Sequence, residues 1–123
     1  MLYNIMQMDV LLHDLVVFRP LRQKATAVIE GMDESYDLNA LPPVLQDLMR
    51  AGIQNVVVDL SKFSSDKKRP ALPVIYCMAG MLSLNVGYSG IAAKEIEAYD
   101  AGINGLWLQH SSQTIDDAVR RFR

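Results

Sequence analysis

The run Asn55-Val56-Val57-Val58-Asp59-Leu60 constrains this chain more than any other stretch. Three successive β-branched residues favour extended backbone, and their lack of alternation leaves neither side of the strand for water. A strand covered on both faces belongs in a largely parallel sheet with helices packed against it. The preceding segment supports that architecture. Asn39 is placed to cap a helix whose first turn holds Pro42 and Pro43, where a missing N–H costs little. Val44, Leu45, Leu48 and Met49 then share one stripe, and Gly52 offers a left-handed stop. A helix leading directly into a buried strand predicts an α/β fold.

Two other regions admit two readings each. Leu15-Val16-Val17-Phe18 and Thr26-Ala27-Val28-Ile29 read as strands around a polar connection. Alternatively Leu21, Ala25, Val28, Ile29 and Met32 fall on one helical face. Leu72 to Cys77 reads as a buried strand, or as a helix carrying Val74, Ile75, Met78, Met81 and Leu82, with Leu84 to Tyr88 as the strand after it. Downstream, Ser89 caps a helix through Ala92, Ile96 and Tyr99 to Gly102. Gly105-Leu106-Trp107-Leu108 forms a short strand, and Ser111 or Ser112 caps a last helix carrying Ile115, Ala118, Val119 and Phe122. Asp116 and Asp117 lie near the positive end of that helix.

At 123 residues the chain fits one domain, residues 1–123, with enough surface to bury a core unaided. A net charge of −2 supplies no field for nucleic acid or an acidic membrane. Lys67-Lys68-Arg69 is the one dense basic cluster and reads as a solvated loop. Cys77, the lone cysteine, excludes an internal disulfide and a multi-cysteine metal site and reads as a small buried hydrophobe. A reducing cytoplasm is the expected location. Met1 to Leu12 is apolar but lacks a basic start and is bounded by Asp9, His13 and Asp14, unlike a signal peptide. No stretch reaches the roughly 20 apolar residues of a membrane span.

No glycine-rich phosphate loop of either familiar spacing occurs. His13 and His110 lack companions at metal-ligand spacing, so no metal and no cofactor is expected. Asp33, Glu34 and Asp37 read as a solvated acidic cluster, and Trp107 as core. Asp59 stands at the carboxyl end of the central strand, where α/β folds place function. Phosphoryl acceptance there requires a cation held by nearby acids, and none are identifiable, so Asp59 is expected to accept backbone N–H bonds in the next turn with Ser61 assisting.

Ala27-Val28-Ile29-Glu30-Gly31-Met32-Asp33, followed by Ala51-Gly52-Ile53-Gln54-Asn55-Val56-Val57-Val58-Asp59-Leu60-Ser61, resembles the first strand, turn, helix end and central strand of STAS domains, the fold of anti-sigma-factor antagonists. The tail, Ala101-Gly102-Ile103 through Ile115-Asp116-Asp117-Ala118-Val119, continues the likeness. The resemblance implies a single-domain α/β sheet with helices mainly on one face. It also implies a regulatory serine opening the helix after the central strand, for which Ser64 and Ser65 are the candidates. Antagonists usually carry an aspartate, paired small residues and a glycine there, whereas this chain has Phe63-Ser64-Ser65-Asp66-Lys67-Lys68-Arg69-Pro70.

A second resemblance is to response-regulator receivers, a flavodoxin-like fold, with Leu72 to Ala79 as their fourth strand and Asp59 as phosphoacceptor. Phe18, Arg19, Met78 and Gln109 would then replace the acidic pair, switch hydroxyl and lysine of that family, giving a pseudo-receiver. The first resemblance leads. It implies a non-enzymatic interaction module whose partner is a regulatory protein such as an anti-sigma factor or kinase, compatible with a homodimer. Ser64 and Ser65 are its phosphorylation candidates, and Asp59, Ser61, Asp66, Lys67, Lys68 and Arg69 its partner-facing loop. A small ligand-binding protein using Asp59, His110 and Trp107 is a further alternative.

Overall fold

In a computed structural model, residues 17–18, 26–102 and 110–122 are described. Their four strands lie side by side in chain order: β1 (Val17–Phe18), β2 (Thr26–Glu30), β3 (Asn55–Asp59) and β4 (Asn85–Ser89). β1 runs antiparallel to β2, and β2, β3 and β4 run parallel to one another. The connections carry a short 3-10 turn (Leu38–Ala40), α1 (Leu41–Arg50) and α2 (Ser65–Met81); α3 (Ala93–Gly102) and α4 (Ile115–Arg120) follow β4. The fold is a small α/β domain.

The parity of the strands decides which side chains meet which helices. Ala27 and Ile29 of β2, Val56 and Val58 of β3, and Val86 and Tyr88 of β4 share one face. They bury Leu41, Leu45 and Leu48 of α1 and Ala71, Leu72, Ile75 and Ala79 of α2. Ile96 of α3 packs against the same cluster. The opposite parity, Val28 and Val57, meets Ala118 of α4, flanked by Ile115, Val119 and Phe122. Gly87 completes that face, where a Cβ would stand 3.3 Å from the Phe122 ring. Val56, Val57 and Val58 are all fully buried, as two-sided coverage requires. Helices therefore lie mainly on one face.

Residues 26–30 are strand rather than helix, and Val17 and Phe18 pair with Glu30 and Ile29. Residues 72–79 lie inside α2, so the helical reading of that stretch holds and the proposed fourth receiver strand is absent there. Two prolines, Pro70 and Pro73, lie within α2. Each deprives the carbonyl four residues earlier of a donor. Those carbonyls belong to Asp66 and Arg69, both exposed, where water can serve them.

Three local expectations are corrected. Asn39 belongs to the 3-10 turn, where Asp37 accepts its backbone N–H at 2.9 Å, and α1 starts after Ala40. Thr114, not Ser111 or Ser112, caps α4, accepting the Asp117 N–H at 3.1 Å. Ser111 instead bridges Tyr88 in parallel. Ser89 ends β4 and caps no helix, since α3 begins at Ala93. His13, Trp107 and the short strand predicted around it lie outside the described residues. Among the described residues no helix is long and apolar enough to cross a membrane.

Both long connections turn by the same device. After α1, Gly52 takes φ 91° while Gly52 N–H bonds Met49 and Ile53 N–H bonds Leu48. After α2, Ser83 takes φ 58° while Ser83 N–H bonds Gly80 and Leu84 N–H bonds Ala79. Both are Schellman closures, but the second places a Cβ in the left-handed region. Ser83→Gly is accordingly expected to raise unfolding stability by about 0.5–1 kcal/mol, measured by urea denaturation.

Candidate functional site

The carboxyl ends of the three parallel strands gather the polar residues singled out above. Asp59, half-buried at the end of β3, accepts the Ser61 hydroxyl at 2.6 Å on one oxygen and the Ser89 hydroxyl at 2.9 Å on the other. Its partners are thus hydroxyls of its own turn and of the neighbouring strand end, rather than the expected backbone N–H groups. Ser61 also lies hard against Gly90. A Cβ on Gly90 would fall 2.4 Å from the Ser61 nitrogen, and Gly90 takes φ 77°, so only glycine fits on both counts.

Helix α2 opens at this end. Ser64 occupies its N-cap position and Ser65 its first turn, both exposed. The Ser64 hydroxyl lies 2.7 Å from Glu34 in the β2–α1 connection and 2.7 Å from Asp66. One proton serves both carboxylates, so Ser64 sits between two anions at the positive end of a helix. The Ser64 hydroxyl, as the chief cause, holds the Asp66 carboxyl below its usual range. In the adjoining connection the Ser35 hydroxyl does the same for Asp33.

Ser65 turns inward and donates to Glu95. Glu95 is buried in the first turn of α3 and also accepts the Ala92 N–H at 2.8 Å, the backward half of a capping box. Its other partner is Lys68, whose ammonium lies 2.9 Å away and also donates to the Gly90 carbonyl at 2.8 Å. Lys68 is buried on the inner side of α2. The expectation of a solvated basic loop is therefore corrected: Lys67, Lys68 and Arg69 are helical, and only Lys67 and Arg69 face water. Helical periodicity separates them, since the positions flanking Lys68 point away from Ala71, Leu72 and Ile75.

Burial works to raise the Glu95 carboxyl, but hydrogen bonds from Ser65, Lys68 and Ala92, with the Lys68 charge, outweigh it and hold the group below its ordinary value. The ion pair fastens α2 to α3 and, through Gly90, to the end of β4. Among the described residues no group of three or more His, Cys, Asp or Glu is arranged to hold a metal.

The other end of the sheet holds an open cavity of about 990 Å³. Its lining includes Asn55, Tyr76, Asn85, His110, Arg121 and Phe122. His110 Nδ1 lies 3.1 Å from the Val86 carbonyl, so that nitrogen carries the proton, and its ring stands 5.4 Å from Tyr76. Asp59 pairs with Ser89 at the far end of β4 and does not line this space. Of the alternative ligand site expected at Asp59, His110 and Trp107, the two described residues, Asp59 and His110, lie at opposite ends of the sheet. Cys77 is exposed on α2, contrary to the buried reading.

Sequence reasoning missed Glu95 and Gly90, and it read Glu34 only as a solvated acid and Ser89 only as a helix cap, not as partners of Ser64 and Asp59. Ala92-Ala93-Lys94-Glu95 carries a capping-box glutamate without its hydroxyl partner, a signal hidden by the apparent cap at Ser89. No protein-family model matches the chain, and no curated protein matches it either.

Lys68→Ala leaves the buried Glu95 carboxylate without its counter-charge, and is expected to cost about 3 kcal/mol in chemical denaturation. Pairing Lys68→Met with Glu95→Gln should cost less than Lys68→Met alone, a coupling a double-mutant cycle would read. Because the folded-state pKa of Glu95 is depressed, its contribution is complete above the unfolded carboxyl value, about 4.3. It is lost as pH falls through the lower folded value, so Glu95→Gln should flatten the acid limb of the stability profile.

Proposed function

We propose that the chain is a non-catalytic regulatory protein-interaction module of STAS-like type, switched by phosphorylation at the start of α2. The observation that carries this reading is the β3–α2 junction. A central strand with three fully buried valines ends in Asp59-Leu60-Ser61, and two exposed serines follow, Ser64 at the N-cap of the next helix and Ser65 in its first turn. The strand at residues 26–30 and its antiparallel pairing with β1 also support the STAS-like reading over the pseudo-receiver. So does the helix over residues 72–79.

Ser64 is the more accessible acceptor, because Ser65 is engaged with buried Glu95. A partner kinase would transfer the terminal phosphoryl group of ATP to the Ser64 oxygen, which gives up its proton. The new group brings about −1.5 to −2 charges between Glu34 and Asp66. Repulsion there would break the Ser64–Glu34 contact and free the β2–α1 connection from α2. A partner reading both segments would bind one state and release the other. Partner choice then rests on the exposed Ser61, Asp66, Lys67 and Arg69 around the serines.

The test is phosphopeptide mapping of the protein isolated from its own cells across growth conditions. A phosphoryl group on Ser64 or Ser65, lost in Ser64→Ala/Ser65→Ala, is the expected result. Unmodified serines under every condition would sink the switch.

The cavity around His110 and Tyr76 favours a second reading, a small-ligand binder. Aromatic faces and carboxamides converge there in a space of ligand size. A true ligand at about 100 times its Kd should add about 2.7 kcal/mol to unfolding stability. A metabolite panel producing no thermal shift leaves the interaction module as the sole reading.

A further inference from the structure

From Pro70 to Ala93 the sequence contains no Asp, Glu, Lys or Arg. The first half of that stretch is the body of α2, from Pro70 to its end at Met81. A helix on a protein surface ordinarily turns charged residues to water, and one that is uncharged on every side is ordinarily covered on every side. Here Ala71, Leu72, Ile75 and Ala79 face the core, whereas no described residue covers the opposite side. Val74 is 41% and Met81 86% exposed, and Pro70 and Cys77 are exposed with them.

Those four residues are spaced by four, three and four positions. That repeat gives a narrow stripe along one side of a helix, the seam geometry of paired helices.

The stripe is also matched to itself when reversed. A two-fold axis between Ile75 and Tyr76 sets Val74 opposite Cys77 of a second copy, and Pro70 opposite its Met81. Charge agrees with that direction. The last turn of α2 has no basic residue to balance its carbonyl end, while Lys67 and Arg69 are exposed near its start. Antiparallel pairing lays those two cations beside the carbonyl end of the other copy.

We propose that the outer face of α2 is the contact surface of a homodimer, formed by two antiparallel copies of this helix. The contact is narrow, at the weak and reversible end of specific interfaces. The stripe lies on a different side of the helix from Lys68, and only its flanking cations, Lys67 and Arg69, are shared with the surface around Ser64.

Cys77 is the single cysteine of the chain, so it reports this geometry directly. Each copy of it lies about 2.3 Å along the helix axis from the two-fold, at roughly 1.5 Å per residue. Helices packed about 8–10 Å apart bring the two sulfurs within disulfide reach. The experiment combines sedimentation across a concentration series with mild diamide oxidation read on non-reducing gels.

A concentration-dependent dimer that oxidation traps covalently is the expected result. Val74→Glu with Met81→Glu should weaken association at least about tenfold and slow the cross-link equally, with circular dichroism unchanged. Cys77→Ser should still dimerise without a covalent product. A monomer at every concentration overturns the proposal. So does a dimer indifferent to the two glutamates, or a stripe that cross-links to a different protein instead.

Discussion

Everything in this domain is arranged around a strand that water cannot touch from either side. Val56 and Val58 point toward α1 and α2, and Val57 points toward α4. Because successive side chains alternate, burying all three demands layers on both faces, and no two-layer arrangement would suffice. The chain meets that demand unevenly. α1 and α2, helped by Ile96 of α3, make the thicker layer, while a short C-terminal helix seals the other through Ala118 and the Phe122 ring over Gly87. The unevenness leaves the carboxyl ends of the strands flanked mainly by connections from one side, which is where the acidic and hydroxyl residues collect.

Those residues form an unusual electrostatic setting. The start of α2 is a positive pole, yet its first turn is surrounded by Glu34, Asp66 and Glu95, with Asp59 at the end of β3. Among the described residues one cation, Lys68, is drawn inside, and it is engaged by Glu95 and the Gly90 carbonyl. Hydroxyl protons from Ser61, Ser64, Ser65 and Ser89 therefore do most of the work of keeping the carboxylates apart. A region balanced on hydroxyl protons is sensitive to any chemistry that replaces one of them.

Much of the frame was legible from the sequence because it rests on local signals. The β-branched run marked β3, the prolines and Gly52 bracketed α1, and neither depends on distant residues. The stretch from Leu72 to Cys77 was ambiguous because a short apolar run suits a strand and a buried helix equally. The nearest charges, Lys67 to Arg69, looked like loop until helical spacing turned Lys68 inward. The site was legible only in part. Ser64, Ser65, Asp59 and Ser61 stand at the strand end as the order of residues implied, but their partners come from elsewhere in the chain. Glu95 meets Lys68 from 27 positions away, and Glu34 meets Ser64 from 30. The glycine at position 90 is dictated by Ser61 on another loop. No local pattern encodes such meetings.

At the opposite edge, the three parallel strands begin on Thr26, Asn55 and Asn85, which are partners in register. Asn85 donates to Asn55 at 2.9 Å, and Asn55 reaches toward Thr26 at 3.4 Å. The three successive valines of β3 would make similar apolar contact in either register. A shift of one residue, however, would turn each of these polar groups to the other face and leave buried amide atoms without partners. The row of carboxamides thus acts as an alignment key, contributing less to the depth of the native state than to the exclusion of its near neighbours.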